Sequence, residues 1–410
     1  MTTLANTLRP AARQPFATIQ APAVAAAALA LSGGALALYY GVDLRRASLL
    51  LIGGGLGVAL YHAAFGFTGG WRAFVADRRG AGLRGQMLLF ALATLIMLPI
   101  LAGGSLFGRP LASAVAPVGL SVLVGAFLFG LGMQLGGGCG SGTLFTVGGG
   151  NTRMIVTLLF FVAGSVVGTA HLPWWLNQPT FSEISLADTL GLMPALVLQL
   201  ALYGVIAWLT VVAERRRHGT VHSLFQRGPA TGPRWLNGPW PLAAGAVALA
   251  LLGTLALAVA GHMWSITFAF GLWGAKALAA LGVNVASWEF WTWPFPAKAL
   301  AGSVFEDTTS VMDFGIILGA LLAAGLAGRF APGFRIPLRS LLGGALGGLL
   351  MGYGARLAFG CNIGALLSGL ASGSVHAWLW FAAAFVGTIL GVRLRPLFGL
   401  AVERTRALTG

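Results

Sequence analysis

A fifteen-residue segment occurs twice in this chain, each copy built around one of its only two cysteines. Residues 130–144 read GLGMQLGGGCGSGTL and residues 352–366 read GYGARLAFGCNIGAL, so both fit G-x-G-x-x-L-x-x-G-C-x-x-G-x-L. Cys139 and Cys361 lie 222 residues apart. The chain must therefore fold as two related halves, each holding one thiol inside a glycine-rich interruption of an apolar run. Many membrane transporters are built this way, with interrupted helices from internal repeats meeting at a midplane site.

The rest of the sequence fits that frame. Of 410 residues, 57% are hydrophobic and only 9% charged, with a mean hydropathy of +0.84. A soluble chain of this length needs far more charged surface. Ten runs are long enough to span a bilayer: 24–42, 47–66, 86–106, 115–135, 152–172, 187–213, 240–262, 311–328, 339–358 and 376–397. The expected fold is an all-α polytopic membrane protein. The net charge of +15 is not a nucleic-acid signal, because the arginines cluster in short loops between apolar runs. They report topology and a preference for anionic lipid. Two cysteines buried in apolar repeats also argue against a secreted disulfide scaffold.

Charge placement predicts the orientation. Arg72, Arg78, Arg79 and Arg84 share one loop; Arg215, Arg216, Arg217, Arg227 and Arg234 share another. Arg329, Arg335 and Arg339 form a third group, and the tail runs from Arg393 to Arg406. Segment 173–186 holds Glu183 and no Lys or Arg, as an outside loop should. Both termini in the cytoplasm satisfies these groups together, with only Arg45 and Arg46 on the wrong side. Arg9 and Arg13 precede the first run without a convincing cleavage site, so that run is expected to be an uncleaved anchor. Under this topology the helices leading to Cys139 and Cys361 run in opposite directions, and the halves are inverted repeats.

A weaker echo extends the duplication. His62-Ala63-Ala64-Phe65-Gly66-Phe67-Thr68 resembles His262-Met263-Trp264-Ser265-Ile266-Thr267, each after an apolar run and before half a helix of amphipathic sequence. Short re-entrant helices are expected after Gly66, Thr267, Cys139 and Cys361. An insertion within 274–310, rich in Trp288, Trp291, Trp293, Pro294 and Pro296, is expected as an interfacial loop at headgroup level. The expected organisation is a tail and extra anchor (1–46), a first transport repeat (47–186), a connecting helix and basic loop (187–239), a second repeat (240–397) and a tail (398–410).

At membrane depth an interrupted helix leaves backbone groups unpaired, tolerated only where they are buried in protein or line a polar cavity. A G-C-x-x-G turn before a short helix aims free N–H groups and a positive dipole end at the cysteine. Gly138, Gly140 and Gly142 around Cys139, and Gly360, Asn362 and Gly364 around Cys361, are the candidate cradles for an anion. Gly66, Thr68 and Thr267 mark the other two helix starts. Arg356, deep in an apolar run, is a further candidate because such residues are costly there and mark function; Gln134 is its uncharged counterpart. Against these stand plainer readings. A membrane cysteine is usually a small hydrophobe, glycine-rich helices are usually packing surfaces, and Arg356 could snorkel to the interface. Duplication of Cys and Gly at the same offsets favours function. Runs such as Gly343-Gly344 and Gly347-Gly348 are assigned to packing, and Lys276 and Lys298 to the interface. The histidines have no metal spacing and no metal site is expected; His62 and His262 are weaker pathway candidates.

Residues 136–144 (GGGCGSGTL) and 360–369 (GCNIGALLSG) resemble the signature segments of the YeeE/YedE family of sulfur-transport membrane proteins, and the similarity runs from about residue 47 to 397. The resemblance implies thiosulfate uptake across the bacterial inner membrane, with buried cysteines contacting the substrate in relay through S–H hydrogen bonds. It also implies a small cytosolic sulfur-carrier or rhodanese-like partner. Cys139 and Cys361 match two family cysteines; a third, in the first re-entrant segment, is Gly66 here. Thiosulfate is the first expectation, and another sulfur or selenium species stays open. A membrane thiol oxidoreductase and a passive anion channel with incidental thiols are the alternatives. No C-x-x-C supports the former, and inverted halves could hold the thiols beyond the roughly 7 Å that permits a bridge.

Overall fold

In hydrocarbon every backbone N–H and C=O must find a partner within the protein, and a helix supplies these locally. The computed structural model describes residues 19–226 and 232–402. Its helices are α1 (Ala21–Gly41), α2 (Leu44–His62), α3 (Phe67–Asp77), α4 (Ala81–Ala102), α5 (Leu120–Gly136), α6 (Gly140–Gly148) and α7 (Thr152–Leu176). They continue with α8 (Leu192–His218), α9 (Leu242–Ala260), α10 (Thr267–Ala280), α11 (Thr308–Leu326) and α12 (Leu338–Leu357). Next comes α13, a π-helical stretch Asn362–Leu367 continuing into Ser368–Ala371, and last α14 (Val375–Leu394). Arg9, Arg13, Arg227, Arg404 and Arg406 lie outside the described residues.

Ten candidate spans, long and apolar enough to cross a membrane, occur among the described residues. Their long helices match the ten expected runs within a turn and a half, three of the spans running on into the short helices α3, α6 and α13, so the chain is an all-α polytopic membrane protein. The four short helices α3, α6, α10 and α13 begin where the sequence breaks were expected. Local chemistry sets the ends. The Asp43 carboxylate accepts from Arg46 N–H at 2.7 Å to start α2, and Asp307 accepts from Ser310 N–H at 2.7 Å to start α11. Left-handed glycines stop α5, α8 and α9 at Gly137, Gly219 and Gly261.

Packing interleaves the two halves. The helix of the first cysteine repeat, α5, lies against α14 and against α12, the helix of the second; α12 also packs on α7. In the same exchange α2 packs on α11, and α9 on α4. These seams are lined by small residues, which let backbones approach where no hydrophobic force drives helices together. A Cβ at Gly132 would sit 2.8 Å from Gly347 O, and one at Gly125 2.7 Å from Gly354 O. The 343–348 glycines are packing surface, as expected: Gly347 abuts Gly132 and Gly136, and Gly348 abuts α7. Helix α1 packs on α2 and α11 at the periphery, tied through Gln20 N–H to Gly325 O at 2.9 Å.

Several charged and aromatic residues differ from the topological reading. The 274–310 segment forms short helices at Glu289–Thr292 and Pro294–Ala301, and Trp291 is buried, its indole N–H donating to Thr169 Oγ1 at 3.0 Å. That ring packs on α7 inside the protein. Lys276 Nζ donates to Leu300 O at 2.8 Å and Gly302 O at 2.6 Å, fastening this segment to α10. Arg84 is not a free loop charge: its guanidinium meets the fully buried Glu214 at 2.7 Å, with Arg79 3.4 Å from the same carboxylate.

Candidate functional site

The two cysteines occupy matching backbone turns. Cys139 (φ −82°, ψ −165°) precedes α6 and Cys361 (φ −99°, ψ −166°) precedes α13. Each follows a glycine that brings the turn hard against the helix it starts. A Cβ at Gly138 would lie 2.9 Å from Thr143 N, and one at Gly360 2.7 Å from Ala365 N. Gly360 has φ +148°, a conformation glycine alone adopts freely. The residue before each of these glycines is left-handed too: Gly137 at φ +95° and, in the other copy, Phe359 at φ +59°.

All four helix starts meet at one place. A Cβ on Gly140 would sit 3.0 Å from Cys361 Sγ and 3.4 Å from Ile266, so α6, α13 and the turn before α10 touch. Gly364 faces Ser265, whose Oγ would be 3.1 Å from an added Cβ, and Ser368 Oγ donates to Trp264 O at 2.7 Å. From the other side, Gln134 Nε2 donates to Thr68 O at 3.2 Å, joining α5 to the start of α3. The equivalent contact recurs in the second half: Arg356 Nη2 donates to Thr267 O at 3.1 Å. One interaction is thus duplicated with the motif, a side chain five residues before the cysteine gripping the first turn of a short helix.

Both thiols are free and shut off from solvent. Cys139 Sγ is 3.5 Å from Ser141 Oγ, and Ile363 N–H donates to Cys361 Sγ at 3.4 Å. Around them, buried polar atoms lack partners: Thr68 Oγ1, Gln134 Oε1, Thr143 Oγ1 and both polar atoms of the Asn362 amide. A native interior seldom leaves such groups unpaired, and each calls for a polar occupant. An anion threaded past these helix starts would supply one.

The sequence candidates divide in two. Cys139, Cys361, Gly138, Gly140, Gly142, Gly360, Asn362, Gly364, Gln134, Thr68 and Thr267 come together at this junction. Gly66 caps the start of α3 at φ −112°, where an added Cβ would meet only Ala64 O, 4.0 Å away. Arg356 does not snorkel outward. It lies between α7 and α10, bonded to Ser165 Oγ at 3.2 Å, with the Phe290 and Phe268 rings 5.1 and 5.9 Å away. Its partners hold the cradle rather than line it. His62 packs on Trp240 at 5.4 Å between centroids, away from the thiols. His262 lines a surface pocket of 380 Å³ with Arg46, Lys298 and Asp307.

Sequence reasoning missed Thr143, whose signal is its place four residues after Cys139 on the short helix. It also missed Arg153 and Arg395. Arg153 donates to Leu135 O and Gly136 O, both at 2.7 Å, and Arg395 donates to Gln134 O, so the carbonyl end of α5 is capped by two guanidiniums. Nothing in their sequence spacing reveals that role.

Comparison with known proteins adds the following. A family model described as sulphur transport matches residues 62–390. The probable transporter YedE of Escherichia coli is 31% identical over 171 residues, covering 41% of this chain and 42% of that protein. The matched stretch thus spans less than half the length of that relative. The thiosulfate transporter TsuA of Spirochaeta thermophila is 28% identical over 265 residues, covering 63% of this chain and 72% of that protein. The TsuA of Escherichia coli is 25% identical over 358 residues, covering 84% and 91%.

Proposed function

Because the chain belongs to the sulphur-transport family, we propose that it imports thiosulfate, or a related small sulfur anion, across the bacterial inner membrane. The anion passes Cys139 and Cys361 at the junction of the four short helices. The observation that carries this reading is the packing of Cys361 against Gly140 amid the unpartnered groups of Thr68, Gln134, Thr143 and Asn362. Thiosulfate is also what the printed names of the TsuA relatives give as their substrate.

The physical demand is severe. The idealised Born cost of taking one such ion into a low-dielectric medium is on the order of 20 kcal/mol. Helix-start N–H groups and polar side chains offset it without a fixed charge that would trap the ion. The thiols add a weak S–H donor and a polarisable surface suited to sulfur. A dianion moving inward against an inside-negative potential costs a further ~4.6 kcal/mol per 100 mV, at ~2.3 per charge. In this reading both termini are cytoplasmic, the halves are inverted, and α3, α6, α10 and α13 are re-entrant. A small sulfur-carrier or rhodanese-like protein receives the anion at the inner face, and anionic lipid surrounds the basic loops.

One observation favours a second reading. Cys361 packs on the residue that follows Cys139, so thiol exchange between them is sterically closer than inverted halves suggested. Labelled thiosulfate uptake into proteoliposomes decides between them, with sulfate, sulfite and selenosulfate as competitors. Thiosulfate accumulation inhibited by selenosulfate supports import. Thiol–disulfide cycling without accumulation supports the oxidoreductase, and serine variants at both cysteines with intact flux support a channel.

A further inference from the structure

Asp313, on α11, is fully shielded from solvent, and neither of its carboxylate oxygens has a hydrogen-bond partner. Other buried acids among the described residues are held. Glu214 meets Arg84 and Arg79, Asp307 accepts from the N–H and O–H of Ser310, and Asp77 pairs with His218 at 3.8 Å. An acid at membrane depth is costly and typically marks a proton or ion route.

Its surroundings trace such a route. Asp307, at the start of α11, lines the 380 Å³ surface pocket beside His262. Asp313 lies six residues further, about 9 Å along the helix axis, and within electrostatic reach of both Asp307 and Cys361. Burial raises the Asp307 carboxyl above its ordinary range, against the Ser310 hydrogen bonds, and lowers the His262 imidazole. The charged groups on helices packed against α11 are Arg45 and Arg46 of α2, Lys276 of α10 and, on the short helix Arg234–Asn237, Arg234, whose Nη1 is buried without a hydrogen-bond partner. Arg45 and Arg46 of α2 bond Ala260 O and Asp43, and Lys276 of α10 bonds Leu300 O and Gly302 O. Tyr39 and Tyr40 of α1 are exposed, Tyr61 and His62 sit at the opposite end of α2, and α6 carries no titratable side chain.

We propose that Asp313 couples anion import to protons: it takes a proton by way of the Asp307 pocket as the anion approaches Cys361, and releases it to the inner side as the anion leaves. An ionised Asp313 would repel a dianion at Cys361 in low dielectric, so protonation and anion binding there are linked. Only the carboxyl O–H bond forms and breaks; the proton comes from outside water and ends in inside water. Its co-transport also reduces the electrical cost of moving two negative charges. The inference rests on the import reading.

The test uses the purified full chain in proteoliposomes with a pH-sensitive dye inside and labelled thiosulfate. Wild-type protein is expected to acidify the lumen as thiosulfate enters and, under an acid-outside gradient, to accumulate about tenfold more label. Asp313→Asn is expected to lose the acidification and the tenfold gain while still exchanging label in counterflow; Asp313→Glu keeps part of both. Wild-type uptake without acidification, or acidification by Asp313→Asn equal to wild type, overturns the coupling. Wild-type protein that shows no counterflow at all overturns the import reading and the coupling with it. Should Asp313→Asn fail to assemble, the wild-type dye signal alone decides.

Discussion

Two glycines that look alike in the sequence differ sharply in what a side chain would meet. Gly360 combines φ +148° with an Ala365 N–H only 2.7 Å from where a Cβ would go, so Gly360→Ala should cost about 1–3 kcal/mol through strain. It should also lower thiosulfate uptake several-fold at matched expression. Gly66, at φ −112° with open space around it, should accept Ala within about 0.5 kcal/mol. Gly66→Cys should fold equally well and transport no more slowly than wild type; a thermal-shift loss of several degrees in detergent would contradict the open space. At the thiols themselves, Cys139→Ala and Cys361→Ala should each abolish thiosulfate-dependent growth with membrane insertion unchanged. Wild-type uptake rates in both would remove the relay from the mechanism and favour the channel.

At the scale of elements, the end of α5 is the most revealing. Its last carbonyls, those of Gln134, Leu135 and Gly136, lose their intrahelical donors because the helix stops at Gly136, three residues before Cys139. Arg395 and Arg153 supply the missing donors. Arg153→Met keeps the length and removes the guanidinium donors, leaving Leu135 O unsatisfied at about 1–3 kcal/mol while Gly136 O keeps Thr157 Oγ1 at 3.2 Å. The expected outcome is a lower melting temperature together with impaired uptake, since the Cys139 turn depends on that end; an unchanged melting temperature would show that water replaces the guanidinium. The matching end of α12 uses a different device, with Ser121 Oγ donating to Leu357 O at 2.6 Å. The duplicated elements therefore share a turn but not its support.

For the whole molecule, the decisive issue is direction across the bilayer. Interleaving of α5 with α14 and α12 with α7, and the repeated grip of Gln134 on Thr68 and Arg356 on Thr267, fit one exchange made twice. If the halves are inverted as proposed, reporter fusions at Arg215–Arg217 and Arg335–Arg339 should report the same, cytoplasmic side, with segment 173–186 opposite. Fusions that place the two basic loops on opposite faces would rule the arrangement out. The exceptional pair Arg45 and Arg46 needs no free solvent on either account, because it is bound to Ala260 O, Asp43 and Glu306 O.

Local pattern determined a good deal by itself. Ten spans, four breaks and the duplicated thiol motif are legible because hydropathy, glycine and cysteine act over a few residues, and hydrocarbon leaves the backbone little choice but helix. The roles of Arg153, Arg395, Arg84 and Trp291 were not legible, since each depends on a partner at least 17 residues away. Nor could the sequence say that Arg356 braces a helix start, or that Asp313 stands without a donor. Those are facts about what three-dimensional packing leaves satisfied or unsatisfied, and only the tertiary structure brings the groups that decide them within a few ångströms of one another.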